Sequence, residues 1–231
     1  MQSYPSRRHL DVLDDLVTVA QHRVLDIGCG DGALVRALTK RGAHCVGVEV
    51  TPERIAQAEA RDKLGDEVYL EASGSKLPLP DESMDLVIFF NALHHLPPDD
   101  MSYSLQECHR LLKPEGYLYV AEPLAQGPLH ELTRSIDDET ELRQLAYQAL
   151  CAAGDGPGLT QLQEVFYQTV VSYKNFGDFR KKMEEVSPRR QAIFRAQEAL
   201  LVEAFERLGR PGIKGQEFDN PMRVNLLQRR A

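Results

Sequence analysis

Between residues 23 and 121, short apolar runs alternate with stretches whose apolar positions recur every three or four residues. The runs at 23–27, 45–50, 68–72, 84–90 and 117–121 read as strands, and the stretches at 32–41, 52–64 and 98–112 as helices. Thr51 before Pro52 marks a helix start, because proline at the first helical position gives up no needed donor. The third helix sets Met101, Leu105, Cys108 and Leu112 on one face and stops at Lys113-Pro114-Glu115-Gly116. Such alternation predicts an α/β, doubly wound, mostly parallel sheet covered on both faces, with ligands at the carboxyl ends of the strands.

After Pro123 the pattern changes. Leu129, Leu132 and Ile136 follow helical spacing, and Asp138-x-x-Glu141 reads as a capping box opening a helix with Leu142, Leu145 and Ala149. Residues 153–158 read as a loop, 164–173 as a strand, 188–208 as a long helix and 223–228 as a closing strand. With both late strands the sheet has seven. One domain is expected over 1–231: a cap helix in 1–22, a ligand-binding core at 23–123, a helical lid with a late strand at 124–222, and the closing strand at 223–231.

The chemistry concentrates at Val24-Leu25-Asp26-Ile27-Gly28-Cys29-Gly30-Asp31-Gly32, where a strand meets a glycine turn and then a helix. Glycines there let bare backbone approach a ligand. Glu49, closing the next apolar run, stands where an acid accepts from ribose hydroxyls in nucleotide folds. An adenosine-containing cofactor follows, and two remain open. Gly28-x-Gly30-x-x-Ala33 fits the dinucleotide fingerprint. Asp26, however, is ill placed beside a pyrophosphate and well placed beside the sulfonium and ammonium of S-adenosylmethionine.

Charge narrows the partners. A net charge of -8 argues against a nucleic-acid binder, and no apolar run reaches membrane-spanning length. Cys29, Cys45, Cys108 and Cys151 are too dispersed for a zinc site or a disulfide framework. The amino terminus lacks a signal-peptide core, so a soluble cytoplasmic protein is expected, with monomer and homodimer both open.

The resemblance goes beyond the glycine turn. Leu77-Pro78-Leu79-Pro80-Asp81-Glu82-Ser83-Met84-Asp85, then Asn91-Ala92-Leu93-His94-His95-Leu96, then Arg110-Leu111-Leu112-Lys113-Pro114-Glu115-Gly116-Tyr117-Leu118 follow in order. Together with the turn they resemble the class I S-adenosylmethionine-dependent methyltransferases of the type 11 small-molecule family. The resemblance implies a Rossmann-like fold, S-adenosylmethionine as cofactor, and in-line methyl transfer to oxygen or nitrogen, less readily carbon, of a small molecule. It implies cofactor contacts from Asp26, Gly28, Cys29, Gly30, Glu49, Val50, Ser73, Gly74 and Asn91. Ser73 departs from the family pattern, which has an aspartate there for the adenine amino group.

His94 and His95 follow the fourth strand, at the rim where the methyl group transfers. A histidine near neutrality can take a proton from a hydroxyl or amine. One of such an adjacent pair packs inward, and His95 is the candidate base. Glu122, after the fifth strand, is the second catalytic candidate. No third ligand stands at metal spacing, so no metal is expected. Tyr4, Tyr167, Tyr173, Asn220 and Arg223 are weaker candidates from segments that would close over the site. The competing classes are an NAD-dependent oxidoreductase on a similar fold and a non-catalytic S-adenosylmethionine-binding protein.

Overall fold

The computed structural model describes residues 4–185 and 187–230, so the ends of the expected cap helix (1–3) and closing strand (231) lie outside the described residues. In chain order the elements are α1 (His9–Leu16), β1 (Arg23–Ile27), α2 (Ala33–Thr39), β2 (His44–Glu49), α3 (Pro52–Glu59), β3 (Val68–Glu71), β4 (Met84–Phe90), a short 3-10 turn (Leu93–His95), α4 (Pro98–Leu111), β5 (Leu112–Pro123), α5 (Pro128–Thr133), α6 (Thr140–Asp155), β6 (Leu159–Tyr173), α7 (Phe176–Glu184), α8 (Pro188–Leu208), β7 (Arg210–Gly212) and β8 (Gly215–Arg229). The strands form an eight-stranded sheet in the order β3-β2-β1-β4-β5-β8-β6, with β7 paired to β8 off that path. Strands β1 to β5 pair in parallel, and β7 runs antiparallel to β8. The seven expected strands are all present; β7 is the addition.

Two compact units divide the chain. The larger comprises His9–Glu122, Leu142–Val165 and Arg223–Ala231. Its core is mainly aliphatic, with Leu25, Val87, Leu105, Leu118 and Leu150 each at most 2% exposed. The strand order reverses direction between β1 and β4, and such a switch point opens a crevice at the carboxyl ends of the strands. The smaller unit comprises Met1–Arg8, Pro123–Glu141 and Phe166–Met222, and its core is aromatic, built on Tyr173, Phe179, Phe194, Phe205 and Phe218.

Several boundaries differ from the pattern for physical reasons. Helix α3 ends at Glu59, because after Ala58 no residue before 65 turns an apolar side chain inward; Leu64 is exposed. Strand β5 starts at Leu112, and the expected turn at 113–116 survives as a bulge inside it. Met84 pairs with Leu112 while Leu86 pairs with Tyr117, so the extra residues loop out. Helix α6 runs to Asp155, through half of the expected loop. It starts at Thr140, so Asp138 stands one residue before the cap position, and its carboxylate accepts from the Thr140 amide at 3.0 Å rather than from that of Glu141 as the expected box has it. Strand β8 begins at Gly215, eight residues before the apolar run at 223. Its polar first half is held by the β7 hairpin, where Arg210 meets Asp219 at 2.5 Å.

Two of the family-like motifs prove to be a structural clasp. Arg110 on α4 donates to Asp81 at 2.6 Å and to the carbonyls of Leu79 and Leu77 at 2.9 and 3.1 Å. Glu107, one turn earlier, pairs with the same guanidinium and accepts from the Leu77 amide at 3.2 Å. One arginine thereby fixes the proline-rich loop that leads into β4.

Candidate active site

The glycine turn leaves the end of β1 with Gly28, Gly30 and Gly32 all at positive φ (76°, 56° and 75°). Any other residue would be strained there, and at two of the three it would also collide. A Cβ on Gly28 would lie 2.6 Å from the Ala92 methyl, and one on Gly32 would lie 2.5 Å from the Tyr69 hydroxyl. The turn is tied to β2 by the amides of Gly28 and Cys29, which donate to the Val48 carbonyl at 2.8 and 3.0 Å.

Glu49 ends β2 and is buried. One carboxylate oxygen accepts from the Gly30 amide at 3.1 Å; the other accepts from the amides of Val50 and Thr51 at 2.9 and 3.1 Å. Three backbone donors fix the carboxylate beside the turn and leave it part of its acceptor capacity. Thr51 therefore caps α3 by position only, without a side-chain bond. Asp26 is 3% exposed on β1, and its pKa is pushed up to about 7 by burial first and by the negative charge of Glu49 second. Two carboxylates thus crowd one buried place. That electrostatics fits a cation and opposes a pyrophosphate.

The remaining expected cofactor residues ring this centre or lie close to it. Val50 is 67% exposed, a large apolar side chain left uncovered at the strand end. Cys29 is buried, and burial pushes its thiol pKa up, so it serves as packing rather than as a nucleophile. Gly74 packs under Ile27 and its carbonyl accepts from the Ser104 hydroxyl at 2.8 Å. Ser73 is exposed, with its hydroxyl 3.0 Å from that of Ser75. Asn91 stands just past β4 at φ 54°, its amide donating to Ala121, and its side-chain oxygen is buried with no hydrogen-bond partner among the described residues.

Strand register brings the catalytic candidates to the same edge. Ile27 pairs with Phe89, and Phe90 pairs with Ala121, so the ends of β1, β4 and β5 lie side by side. Glu122 is buried; one of its oxygens accepts from the amides of Ala92 and Leu93 at 3.2 and 2.8 Å. Its other oxygen takes a short hydrogen bond from Nδ1 of His94. His94 is 2% exposed, whereas His95 is exposed and lays its ring on that of His94 at 4.0 Å between centroids. Glu122 is therefore joined to His94, the histidine that was not singled out. The adjacency of the pair signalled that one turns inward, and Glu122 was the only mark of which.

Of the weaker candidates, Arg223 is buried in the larger unit. Tyr167 and Tyr173 are buried in the smaller one, where Tyr173 belongs to the aromatic core. Tyr4 stacks on Phe166 and accepts from Gln126 at 3.1 Å, and Asn220 donates to Thr169 at 3.4 Å. Those four are occupied with packing in their own unit.

Comparison with known proteins agrees with this geometry. Residues 25–120 match the family described as Methyltransferase domain. The chain is 28% identical to the uncharacterized methyltransferase YcgJ of Bacillus subtilis over 155 residues, 65% of this chain and 60% of that protein. It is 33% identical to the ubiquinone biosynthesis O-methyltransferase of Pseudomonas entomophila over 139 residues, 58% of this chain and 57% of that protein. The chain thus spans less than two thirds of the length of the curated relatives it matches. Among solved structures, the YcgJ protein superposes with a TM-score of 0.62 at 20% identity, covering 95% of this chain and 96% of that one. An S-adenosylmethionine-dependent methyltransferase from Mesorhizobium loti gives 0.54 at 20% identity, covering 96% of both. These likenesses share the fold, and no helix among the described residues is long and apolar enough to cross a membrane. A glycine cradle and two carboxylates suited to a cation thus lie on the same strands as the match of residues 25–120 to the Methyltransferase domain family.

Proposed function

We propose that this protein transfers a methyl group to a hydroxyl oxygen of a small molecule, with His94 as the proton acceptor and Glu122 as the residue that positions it. The observation that carries the reading is the buried hydrogen bond between His94 and Glu122, next to the glycine turn. When bound, S-adenosylmethionine supplies an electrophilic methyl group on a sulfonium. Gly28, Gly30 and Gly32 give it backbone access, Glu49 accepts from the ribose hydroxyls, and Asp26 favours the positive end. Asn91 offers an unused acceptor at the same edge.

The acceptor side needs a base, because a neutral hydroxyl is a poor nucleophile for an alkyl transfer. Glu122 fixes the His94 tautomer and stabilises the imidazolium that forms when Nε2 takes the hydroxyl proton. A buried carboxylate held by two amides is rigid, so it orients the ring. His95 then shapes the rim, its ring tilted against that of the base. The ubiquinone-pathway relative is named for methylation on oxygen, which supports the same choice of atom.

The test uses labelled S-adenosylmethionine with paired phenol and aniline acceptors. Ether products are expected, and His94→Gln should lower kcat by about 100-fold, the usual contribution of a positioned base, with cofactor affinity kept. Glu122→Gln should lower kcat as well, while His95→Gln stays within about threefold. Methylation of anilines alone, or full activity in His94→Gln, would overturn the reading.

A further inference from the structure

We infer that Arg223 is the docking point for a carboxylate on the methyl acceptor, so that the substrate is a hydroxylated carboxylic acid. Arg223 is 9% exposed, at the end of β8 that belongs to the larger unit. Its guanidinium lies flat on the Tyr147 ring, 3.4 Å from the centroid. Its Nε donates to the Asn225 side-chain oxygen at 2.9 Å. Asn225 is held in turn by Gln161 at 3.1 Å and Glu164 at 3.0 Å, and the Tyr147 hydroxyl donates to the same Glu164 oxygen at 2.9 Å. Four side chains thereby fix the place and direction of one guanidinium.

What they leave unused is the fork. Among the described residues, no hydrogen bond engages the terminal Nη groups of Arg223. The nearest carboxylate, Glu164, stands 3.9 Å from Nε and already serves Tyr147 and Asn225. Burial of the stacked face weakens the guanidinium's hold on its proton, while the Nη groups are not among the buried atoms left without a partner and so stay within reach of a ligand. A planar anion would take two parallel N–H bonds from them. Glu122 and Glu164 are the carboxylates whose charge acts on Arg223, and Glu122 is also the partner of His94. The charge of Glu122 thus bears on both the anchor and the proposed base, and the proposal gives one end of the acceptor to each. A lysine would lack both the flat stack and the fork.

The inference rests on the proposed methyl-acceptor site, and the experiment separates the two. Protein is first titrated calorimetrically with S-adenosylhomocysteine; failure there would count against the cofactor site alone. The saturated protein is then titrated with 2-, 3- and 4-hydroxybenzoate and with the matching hydroxybenzamides. At least one acid should bind about tenfold more tightly than its amide, as expected for a two-bond charged contact. Arg223→Gln should reduce that preference to about twofold and leave S-adenosylhomocysteine affinity unchanged, with Arg223→Lys in between. If Arg223→Gln does not fold, Tyr147→Leu, which removes the stack but keeps the charge, should weaken the acid preference. Acids that bind no better than amides to the wild type, or a preference that survives Arg223→Gln, would overturn the inference.

Discussion

Asp26 carries its role in its ionisation. Its pKa in the ligand-free fold is about 7, against 3.8 for the unperturbed group, because burial and the charge of Glu49 both oppose the carboxylate. An acid whose pKa is raised by folding binds its proton more tightly in the native state. Its stabilising contribution is full below pH 3.8 and is lost as the pH rises to about 7. Ligand-free protein should thus lose roughly 4 kcal/mol from this group between those limits, at about 1.4 kcal/mol per unit. Asp26→Asn should flatten that slope and melt higher at pH 8. Binding of the cationic cofactor reverses the balance by favouring the carboxylate, so affinity should rise with pH and a proton should be released near pH 6. Calorimetry in two buffers of different ionisation enthalpy measures that proton, and the same release in Asp26→Asn would remove Asp26 from the site. At this scale the sequence was informative wherever spacing alone placed a residue. Asp26 stands two residues before Gly28, and Glu49 is the last residue of its strand. His94 was not legible as the paired histidine, because which of two neighbours turns inward depends on the 3-10 turn and on Glu122, twenty-eight residues away.

Strand ends, rather than single residues, build the site, and their closeness can be tested at Gly28. The turn after β1 and the turn after β4 touch there, where a methyl on Gly28 would sit 2.6 Å from that of Ala92. Gly28→Ala meets two obstacles, the positive φ and the collision, and should cost about 3 kcal/mol in all. Ala92→Gly in the same chain removes the collision and leaves the φ strain, so the double variant should recover about half of the loss. Denaturant melts of the four proteins give the coupling, and purely additive losses would mean the two turns do not touch. Parallel strands β1 to β4 were readable because each repeats one pattern of buried run and amphipathic helix. The first halves of β6 and β8 were not, being rich in Gln, Glu, Asp and Asn. Pairing partners hold those stretches extended, and partners are invisible to a local pattern.

Two cores of different chemistry stabilise the molecule, and only one of them was written in periodicity. The larger unit repeats its strand–helix pattern along one continuous stretch, so its aliphatic core is legible. The smaller unit is gathered from segments far apart in sequence, and its aromatic residues meet only once the chain has folded. Phe179 is at their centre, with Tyr173, Phe176, Phe194 and Phe205 all within 6.0 Å between ring centroids. It is completely buried. Phe179→Ala should cost about 3–5 kcal/mol, the cavity and transfer loss together, with the edge-to-face contacts adding to it. Phe179→Leu fills most of the volume without the ring and should cost about 1–2 kcal/mol. Hydrogen exchange tells where the loss falls. Amides in α7 and α8 should lose protection in Phe179→Ala, while those of β1 and β4, whose packing is supplied by Leu25, Val87 and Leu105, should keep theirs. Equal loss of protection in both sets would mean that the two cores melt as a single cooperative structure, and the division of the chain into separately stabilised units would have to be abandoned.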